Sequence, residues 1–186
     1  MSGRVATERR GGRRWLPLLA LLASASPLGG CAGGAGPAAS PAASHPLVGA
    51  PAPGFELPEV GGGAEQSLTA YAGKLVIVDF WATWCQPCKQ SFPVYQRLVE
   101  KLGGELVVIG VSQDDDAQGI AAFRSETGAK FPLVWDDGKA LAKRYDPPTM
   151  PTAFVIDQSG IVRFVHAGYR AGDEATLEEE VRSLMR

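Results

Sequence analysis

The sequence predicts an α/β fold in which a central mixed β-sheet is flanked by helices. Dense apolar, β-branched runs at 74–81 and 105–112 are typical of strands that are buried on both faces. Each run is followed by a segment that predicts a helix. Near the C-terminus, two strand-like segments are separated only by a short polar turn. Strands that alternate with helices and then end in a hairpin give a mixed sheet in an α/β sandwich.

The first half of this domain contains two strand–helix units. Lys74 to Trp81 is the first strand, and apolar residues at helical spacing predict a helix from about Gln86 to Leu102, which Gly103-Gly104 ends. Glu105 to Ser112 is the second strand. The triplet 114–116 (Asp-Asp-Asp) is interpreted as the N-cap of a helix that runs to about residue 127, because the glycine and later glutamate of an EF-hand loop are missing.

The second half contains shorter elements. They are predicted in the order strand, helix, strand, strand and helix, at Phe131–Trp135, Gly138–Tyr145, Thr152–Asp157, Ile161–Ala167 and Asp173–Met185. Pro147-Pro148 ends the short helix. The turn Gln158-Ser159-Gly160 joins the last two strands into a hairpin.

The first 46 residues are not domain-like. Residues 1–30 hold five arginines, then a short apolar core at Trp15–Leu22, which is typical of an export signal for the general secretory route. Spanning a bilayer takes about 20 apolar residues, more than this core supplies. Residues 32–47 are mostly Ala, Gly, Pro and Ser, which predicts a flexible linker with His45 as a solvated residue. The folded domain is predicted at 48–186.

Cys31 follows Leu28-Gly29-Gly30, a pattern that resembles the bacterial lipobox. Cleavage before Cys31 would leave a lipidated cysteine that anchors the protein to a membrane. The alternative is a soluble secreted protein in which Cys31 is incidental. Without residues 1–30 the chain holds 13 basic and 19 acidic residues, a net charge of −6, and no basic patch with interleaved aromatics. We therefore expect no nucleic-acid partner.

Cys85 and Cys88 form a C-x-x-C motif between a strand and a helix. The spacing fits a redox pair or half of a metal site, and zinc would need about four ligands. Outside this pair the sequence offers only Cys31, His45 and His166, so we expect redox chemistry and no cofactor. A thiolate at Cys85 would be stabilised at the start of the helix, which lowers its pKa and makes it the attacking residue, with Cys88 resolving the mixed disulfide.

Two further features accompany the pair. Asp79 interrupts the first apolar strand, where burial would raise its pKa and let it accept the Cys88 proton; the alternative is a partly exposed carboxylate at a strand end. Thr149-Met150-Pro151-Thr152 comes just before the fourth predicted strand, where a proline indicates an edge strand or a cis turn. The alternative is a simple turn that extends Pro147-Pro148.

These residues resemble the thioredoxin superfamily, in particular its extracytoplasmic TlpA/ResA-like branch. The resemblance is carried by the run 80–89 (Phe-Trp-Ala-Thr-Trp-Cys-Gln-Pro-Cys-Lys), by Pro93, by the run 150–152 (Met-Pro-Thr) and by Gly168. It implies a thioredoxin-like sandwich with a TlpA-type insertion at about 117–145, between the second strand–helix unit and the proline. It also implies that Cys85 is the nucleophile and Cys88 the resolving thiol, that Pro151 is cis, and that Trp84, Met150 and Pro151 bind substrate.

The resemblance has further implications and two departures. It implies protein disulfide substrates, such as an apocytochrome c, and a membrane thiol reductase as the electron donor. Many members carry Glu three residues after the second cysteine, where this chain has Ser91. Asp79 instead matches the buried Asp of cytosolic thioredoxin, but the strand at 106–112 has no lysine to partner it.

Two other functions remain open. A copper-binding metallochaperone would use Cys85, Cys88 and His166, although related copper carriers tend to have three residues between the cysteines. A peroxiredoxin would need Thr or Ser three residues before the attacking cysteine, and Ala82 occupies that position.

Overall fold

The computed structural model describes residues 45–185, so the predicted signal at 1–30, Cys31 and most of the linker lie outside the described part. The described residues form seven strands and four helices. The strands are β1 (Glu56–Leu57), β2 (Gln66–Ser67), β3 (Leu75–Trp81), β4 (Leu106–Ser112), β5 (Leu133–Trp135), β6 (Thr152–Ile156) and β7 (Val162–Ala167). The helices are α1 (Gln86–Leu102), α2 (Ile120–Thr127), α3 (Ala140–Tyr145) and α4 (Asp173–Leu184).

The predicted mixed sheet is confirmed. Five strands lie in the order β5-β4-β3-β6-β7, with β3, β4 and β5 parallel and with β6 and β7 antiparallel to their neighbours. The apolar strand β3 is central and all seven of its residues are buried. At the level of Asp79, β3 pairs with Gly110 of β4 and Ala153 of β6.

Each face of the sheet has its own apolar core. Side chains alternate across a strand, so Leu75, Ile77 and Trp81 of β3 point to one face and Val76, Val78 and Phe80 to the other. The first face is covered by α1, α2 and α4, and its core includes Cys85 and Cys88. The second is covered by α3 and by apolar residues that precede β3. By the same alternation, Asp79 points to the first face, which α1 covers.

The segment before β3 reaches both edges of the five-stranded sheet. At the β7 edge, Pro51 bridges Ile161, and the Gly49 amide donates to the Val162 carbonyl at 2.8 Å. At the β5 edge, Glu59 bridges Val134. The short strands β1 and β2 form a separate antiparallel pair. Neither strand is predicted from sequence, because two residues are too few to carry a periodic pattern.

Two expectations are wrong. Helix α2 begins at Ile120, with Gly119 as its N-cap and no capping side chain, so the acidic triplet is not the predicted cap. His45 is not a solvated linker residue: its Nε2 lies 3.2 Å from the Asp146 carbonyl oxygen, and its ring packs edge-on against Phe154 with centroids 5.1 Å apart. The aromatic partner lies more than 100 residues away in sequence, so composition alone could not indicate this contact.

Candidate active site

The two cysteines lie at the start of α1, directly after the central strand. Cys85 is the N-cap residue with an extended backbone, and its sulfur accepts a hydrogen bond from the Cys88 amide at 3.2 Å. The two residues form a disulfide, with their Cα atoms 5.3 Å apart. Unpaired amides at a helix start favour negative charge. After reduction, a thiolate at Cys85 would therefore be stabilised by the same amide.

The residues around the pair differ sharply in exposure. Cys85 is 4% exposed and Cys88 is fully buried, whereas Trp84 is 64% exposed. Gln86 and Pro87, between the cysteines, are also exposed. An attacking group can thus approach the disulfide from the Cys85 side only, and Trp84 offers it an apolar surface.

The loop between β3 and α1 is held by a carboxylate that the sequence pattern placed elsewhere. Asp114 is buried, and its oxygens accept hydrogen bonds from the Thr83 amide at 3.0 and 3.1 Å and from the Thr83 hydroxyl at 2.8 Å. The Ser112 hydroxyl donates to the same carboxylate at 2.8 Å. Asp114 therefore ties the end of β4 to the loop that leads into Cys85.

The Met150–Pro151 peptide bond is cis and precedes β6. The Pro151 carbonyl accepts a hydrogen bond from the Gly168 amide at 2.7 Å, and the Thr152 hydroxyl donates to the Thr149 carbonyl at 2.8 Å. Met150 is partly buried and packs against the core cluster that contains both cysteines. The cis bond agrees with the resemblance, and the turn leads into β6, which pairs with β3, the strand that precedes the cysteines.

Asp79 is fully buried, so the alternative of a partly exposed strand-end carboxylate is wrong. Burial raises its pKa well above the ordinary value, and a hydrogen bond from Tyr95 lowers it only in part. The Tyr95 hydroxyl donates to Oδ1 of Asp79 at 3.1 Å, and Oδ2 has no partner among the described residues. The raised pKa makes the ionised form of Asp79 a stronger base than an ordinary carboxylate, which suits a proton acceptor for a buried thiol.

Sequence reasoning missed Tyr95 and left Asp79 without a partner. It treated Tyr95 only as one of the apolar residues of α1, where its ring does lie buried. The available signal was its spacing: Cys88, Ser91 and Tyr95 recur at i, i+3 and i+7 and so share one helix face. Ser91, which replaces the glutamate of many related proteins, donates to the Cys88 carbonyl at 3.2 Å.

His166 does not join the cysteines. It lies on β7, and its Nε2 is 2.5 Å from a Glu180 carboxylate oxygen of α4. Within residues 45–185, no three His, Cys, Asp or Glu side chains are grouped so that they could hold a metal ion. The arrangement gives no support to a copper site at Cys85, Cys88 and His166. None of the described helices is both long and apolar enough to cross a membrane.

Comparison with known proteins agrees with this geometry. The sequence profile of the AhpC/TSA family matches residues 48–165. The chain is 32% identical over 120 residues to the thioredoxin-like protein YneN of Bacillus subtilis, covering 63% of this chain and 69% of that protein. It is 33% identical over 140 residues to the thiol-disulfide oxidoreductase ResA of Geobacillus kaustophilus, covering 74% of this chain and 78% of ResA.

A solved structure extends the similarity to the fold. The crystal structure described as a thiol:disulfide interchange protein DsbE from Chlorobium tepidum superimposes with a TM-score of 0.71 at 32% identity. The match covers 75% of this chain and 98% of that one.

Proposed function

The chain belongs to the AhpC/TSA family and is a thiol–disulfide oxidoreductase, and on this premise we propose that it reduces protein disulfides outside the cytoplasm from a lipid anchor. The observation that carries the proposal is the Cys85 sulfur at the start of α1, within hydrogen-bond reach of the Cys88 amide. A thiolate held there is the species that attacks disulfides.

The proposed reaction starts from the reduced pair. The Cys85 thiolate attacks one sulfur of a client disulfide, and the other client sulfur leaves as a thiolate. Cys88 loses its proton to Asp79 and attacks the Cys85 sulfur of the mixed disulfide. The Cys85–Cys88 disulfide forms, the second client sulfur leaves, and two electrons have passed from the pair to the client.

The client would bind around the exposed edge of the pair. Trp84 is the most exposed of the large apolar side chains described, and Met150 packs against the core cluster that contains both cysteines. Pro151 follows Met150 through a cis peptide bond. Among the described residues, no hydrogen bond to the amide or carbonyl of Met150 occurs, so its backbone is free to pair with an extended client segment. We assign Trp84, Met150 and Pro151 to client binding.

The proposed location rests on the sequence before the domain. The arginine-rich start, the apolar stretch and Cys31 after Leu28-Gly29-Gly30 form a lipoprotein signal, with a linker that leads to the domain. Mass spectrometry of the mature N-terminal peptide tests this. A diacylglyceryl group on Cys31 supports the anchor, and a free Cys31 thiol or cleavage elsewhere contradicts it.

The direction and partners are also proposals. We infer reduction from the resemblance to ResA-like proteins; a proton acceptor near Cys88 would assist the exchange step in both directions, so the direction is set by the reduction potential. The client class is an apocytochrome c with haem-binding cysteines, and the electron donor is a membrane thiol reductase, both from the resemblance to ResA-like proteins. A peroxidase is disfavoured because Ala82 supplies no hydroxyl three residues before Cys85.

The reduction potential of the Cys85–Cys88 couple is the test of direction. A potential near about −270 mV, the value of thioredoxin, supports a reductant, and one near −120 mV, as for DsbA, would show an oxidant. The same equilibration with purified full-length protein, repeated with a di-cysteine haem-binding peptide as the client, tests the client class. Failure to reduce that peptide while other disulfides are reduced would exclude the cytochrome proposal alone.

A further inference from the structure

We propose that Tyr95 is the positioning residue of the proton-transfer step: its hydroxyl occupies Oδ1 of Asp79 and leaves Oδ2 to take the Cys88 proton. This inference rests on the proposed role of Asp79 as proton acceptor. In this role Tyr95 determines which oxygen of Asp79 accepts the proton. It also helps to set the pH range over which Asp79 can accept it.

The fold brings Tyr95 to Asp79 through the direction of helix side chains. Asp79 lies on the face of β3 that α1 covers, and Tyr95 lies two helical turns after Cys88 on the buried side of α1. Long helix side chains lean back toward the N-terminus, which carries the Tyr95 hydroxyl toward the level of Cys88. The resulting hydrogen bond to Asp79 Oδ1 is 3.1 Å long.

The two carboxylate oxygens of Asp79 are therefore not equivalent. Oδ1 already accepts from a hydroxyl, and Oδ2 is buried without a partner among residues 45–185. A buried polar atom without a partner is costly, and that cost falls when Oδ2 carries a proton that can be donated. The proton that leaves the Cys88 sulfur is then bound at Oδ2. The bond from Tyr95 is kept in both protonation states.

The surroundings leave Tyr95 as the main polar influence on Asp79. Its cross-strand neighbours, Gly110 and Ala153, have no titratable side chain. From α1, Tyr95 contacts it. One strand further, His166 of β7 lies opposite Ala153 and contacts Glu180 of α4. Beyond Tyr95 lies Tyr169, whose hydroxyl donates to Glu174 at 3.2 Å.

A second contact connects this pair with the cysteine helix. Ser91 lies on α1 between Cys88 and Tyr95, and its hydroxyl donates to the Cys88 carbonyl. The Ser91 hydroxyl also favours the ionised form of Tyr95, whose pKa is raised mainly by burial and then by Asp79. The buried side of α1 thus carries a polar row from the resolving cysteine to the carboxylate, within an otherwise apolar core.

The test is the pH profile of mixed-disulfide resolution in purified full-length protein, followed by stopped-flow. The variant Tyr95→Phe keeps the ring and removes one donor to Asp79. Because that donor favours the ionised carboxylate, the profile of Tyr95→Phe should move to higher pH. At pH 7 resolution should slow about tenfold, the effect expected from one charge-assisted hydrogen bond. The initial attack by Cys85 should be unchanged.

The chain offers a matched control in Tyr145. This tyrosine is also fully buried, but it lies in the core on the opposite face of the sheet, and its hydroxyl has no partner among the described residues. Tyr145→Phe should leave the profile unchanged. Carboxyl titration of Asp79 by ¹³C NMR in reduced wild type and Tyr95→Phe provides a readout independent of activity, and its midpoint should rise in the variant.

The same set of variants separates the two levels of the proposal. In an Asp79→Asn background, Tyr95→Phe should cause no further shift, because the group that it acts on is gone. An unshifted profile in Tyr95→Phe, or an equal slowing in both backgrounds, overturns the role of Tyr95. If Asp79→Asn itself resolves at the wild-type rate, the role of Asp79 fails, and with it this inference. Loss of all exchange in wild type would refute the proposed function instead.

Discussion

Asp79→Asn should make the protein more stable, by an amount that grows with pH. Asp79 is fully buried, and burial raises its pKa well above the ordinary value of 3.8, which the unfolded chain retains. Between these two pKa values the folded state binds one more proton than the unfolded state. Stability of the wild type therefore falls as pH rises through this window, whereas Asn has no such proton to lose.

The expected size follows from the linkage of one proton. Below about pH 4 the carboxyl is neutral in both states. Asn then keeps the Tyr95 hydrogen bond and leaves one buried amide group unpaired in place of Oδ2, so the two proteins should agree within about 1 kcal/mol. Above that pH, the free energy of unfolding of Asp79→Asn should gain about 1.4 kcal/mol per pH unit over wild type, until Asp79 ionises in the folded state.

The assay is denaturant unfolding of the oxidised full-length proteins at several pH values between about 2 and 8, so that it covers the ordinary pKa of Asp and values below it. Asp157→Asn is the matched control of opposite sign. Desolvation opposes ionisation of Asp157, but bonds from the Ile161 amide, the Arg163 guanidinium and the Ser159 amide outweigh it and lower its pKa. That variant should be less stable than wild type at neutral pH, and the difference should shrink as pH falls below about 4, because wild type then loses the contribution of its ionised carboxylate. If the free energy of unfolding changed equally with pH in Asp79→Asn and in wild type, the reasoning would be refuted.

Three further substitutions test the site and its support. Cys85→Ser should abolish disulfide reduction, measured by insulin turbidity, because Cys88, the other thiol of the motif, is fully buried. Asp114→Asn should lower the free energy of unfolding by about 1–3 kcal/mol and slow exchange, since it removes an acceptor from the loop before Cys85, whereas the exposed Asp116→Asn should do neither. Gly110→Ala should lower the free energy of unfolding by about 1–3 kcal/mol, because a Cβ there would lie 2.6 Å from the Leu133 side chain of β5. Gly104→Ala is the control: its Cβ would meet no neighbour, so stability should not change.

Contrary results have distinct meanings. Turnover by Cys85→Ser would assign the attack to another group. Wild-type exchange with reduced stability in Asp114→Asn would make its carboxylate purely structural. Equal stability of Gly110→Ala and Gly104→Ala would mean that the Leu133 side chain can move away from a Cβ at 110 without loss.

The sequence predicted the long elements well, because their patterns are local. The run at 75–81 and the helix at 86–102 follow periodicities that need no knowledge of distant residues, and the C-x-x-C motif lies at their junction. The buried environment of Asp79 could be predicted for the same reason, since the apolar run on both sides of it indicates a central strand.

The contacts that the sequence did not predict at the site join distant parts of the chain. Tyr95 contacts Asp79 only after α1 has packed over β3. A tyrosine at an apolar helix position does not indicate which residue its hydroxyl will bind. Asp114 could either cap a helix or accept bonds from Thr83, which is 31 residues earlier, and only the tertiary structure decides. A local rule applied to an acidic triplet favours the cap.

The segment before β3 has a consequence for association between copies. An outer strand presents unpaired amides and carbonyls that can recruit a strand from another molecule. Here one stretch of chain contacts both outer strands, at Ile161 through Pro51 and at Val134 through Glu59. This segment thereby covers part of both sheet edges, where a strand from a second molecule could otherwise pair. A truncated protein that begins after residue 60 would lose both contacts, together with apolar residues such as Phe55 that complete the second core, and should aggregate even though its redox pair is retained.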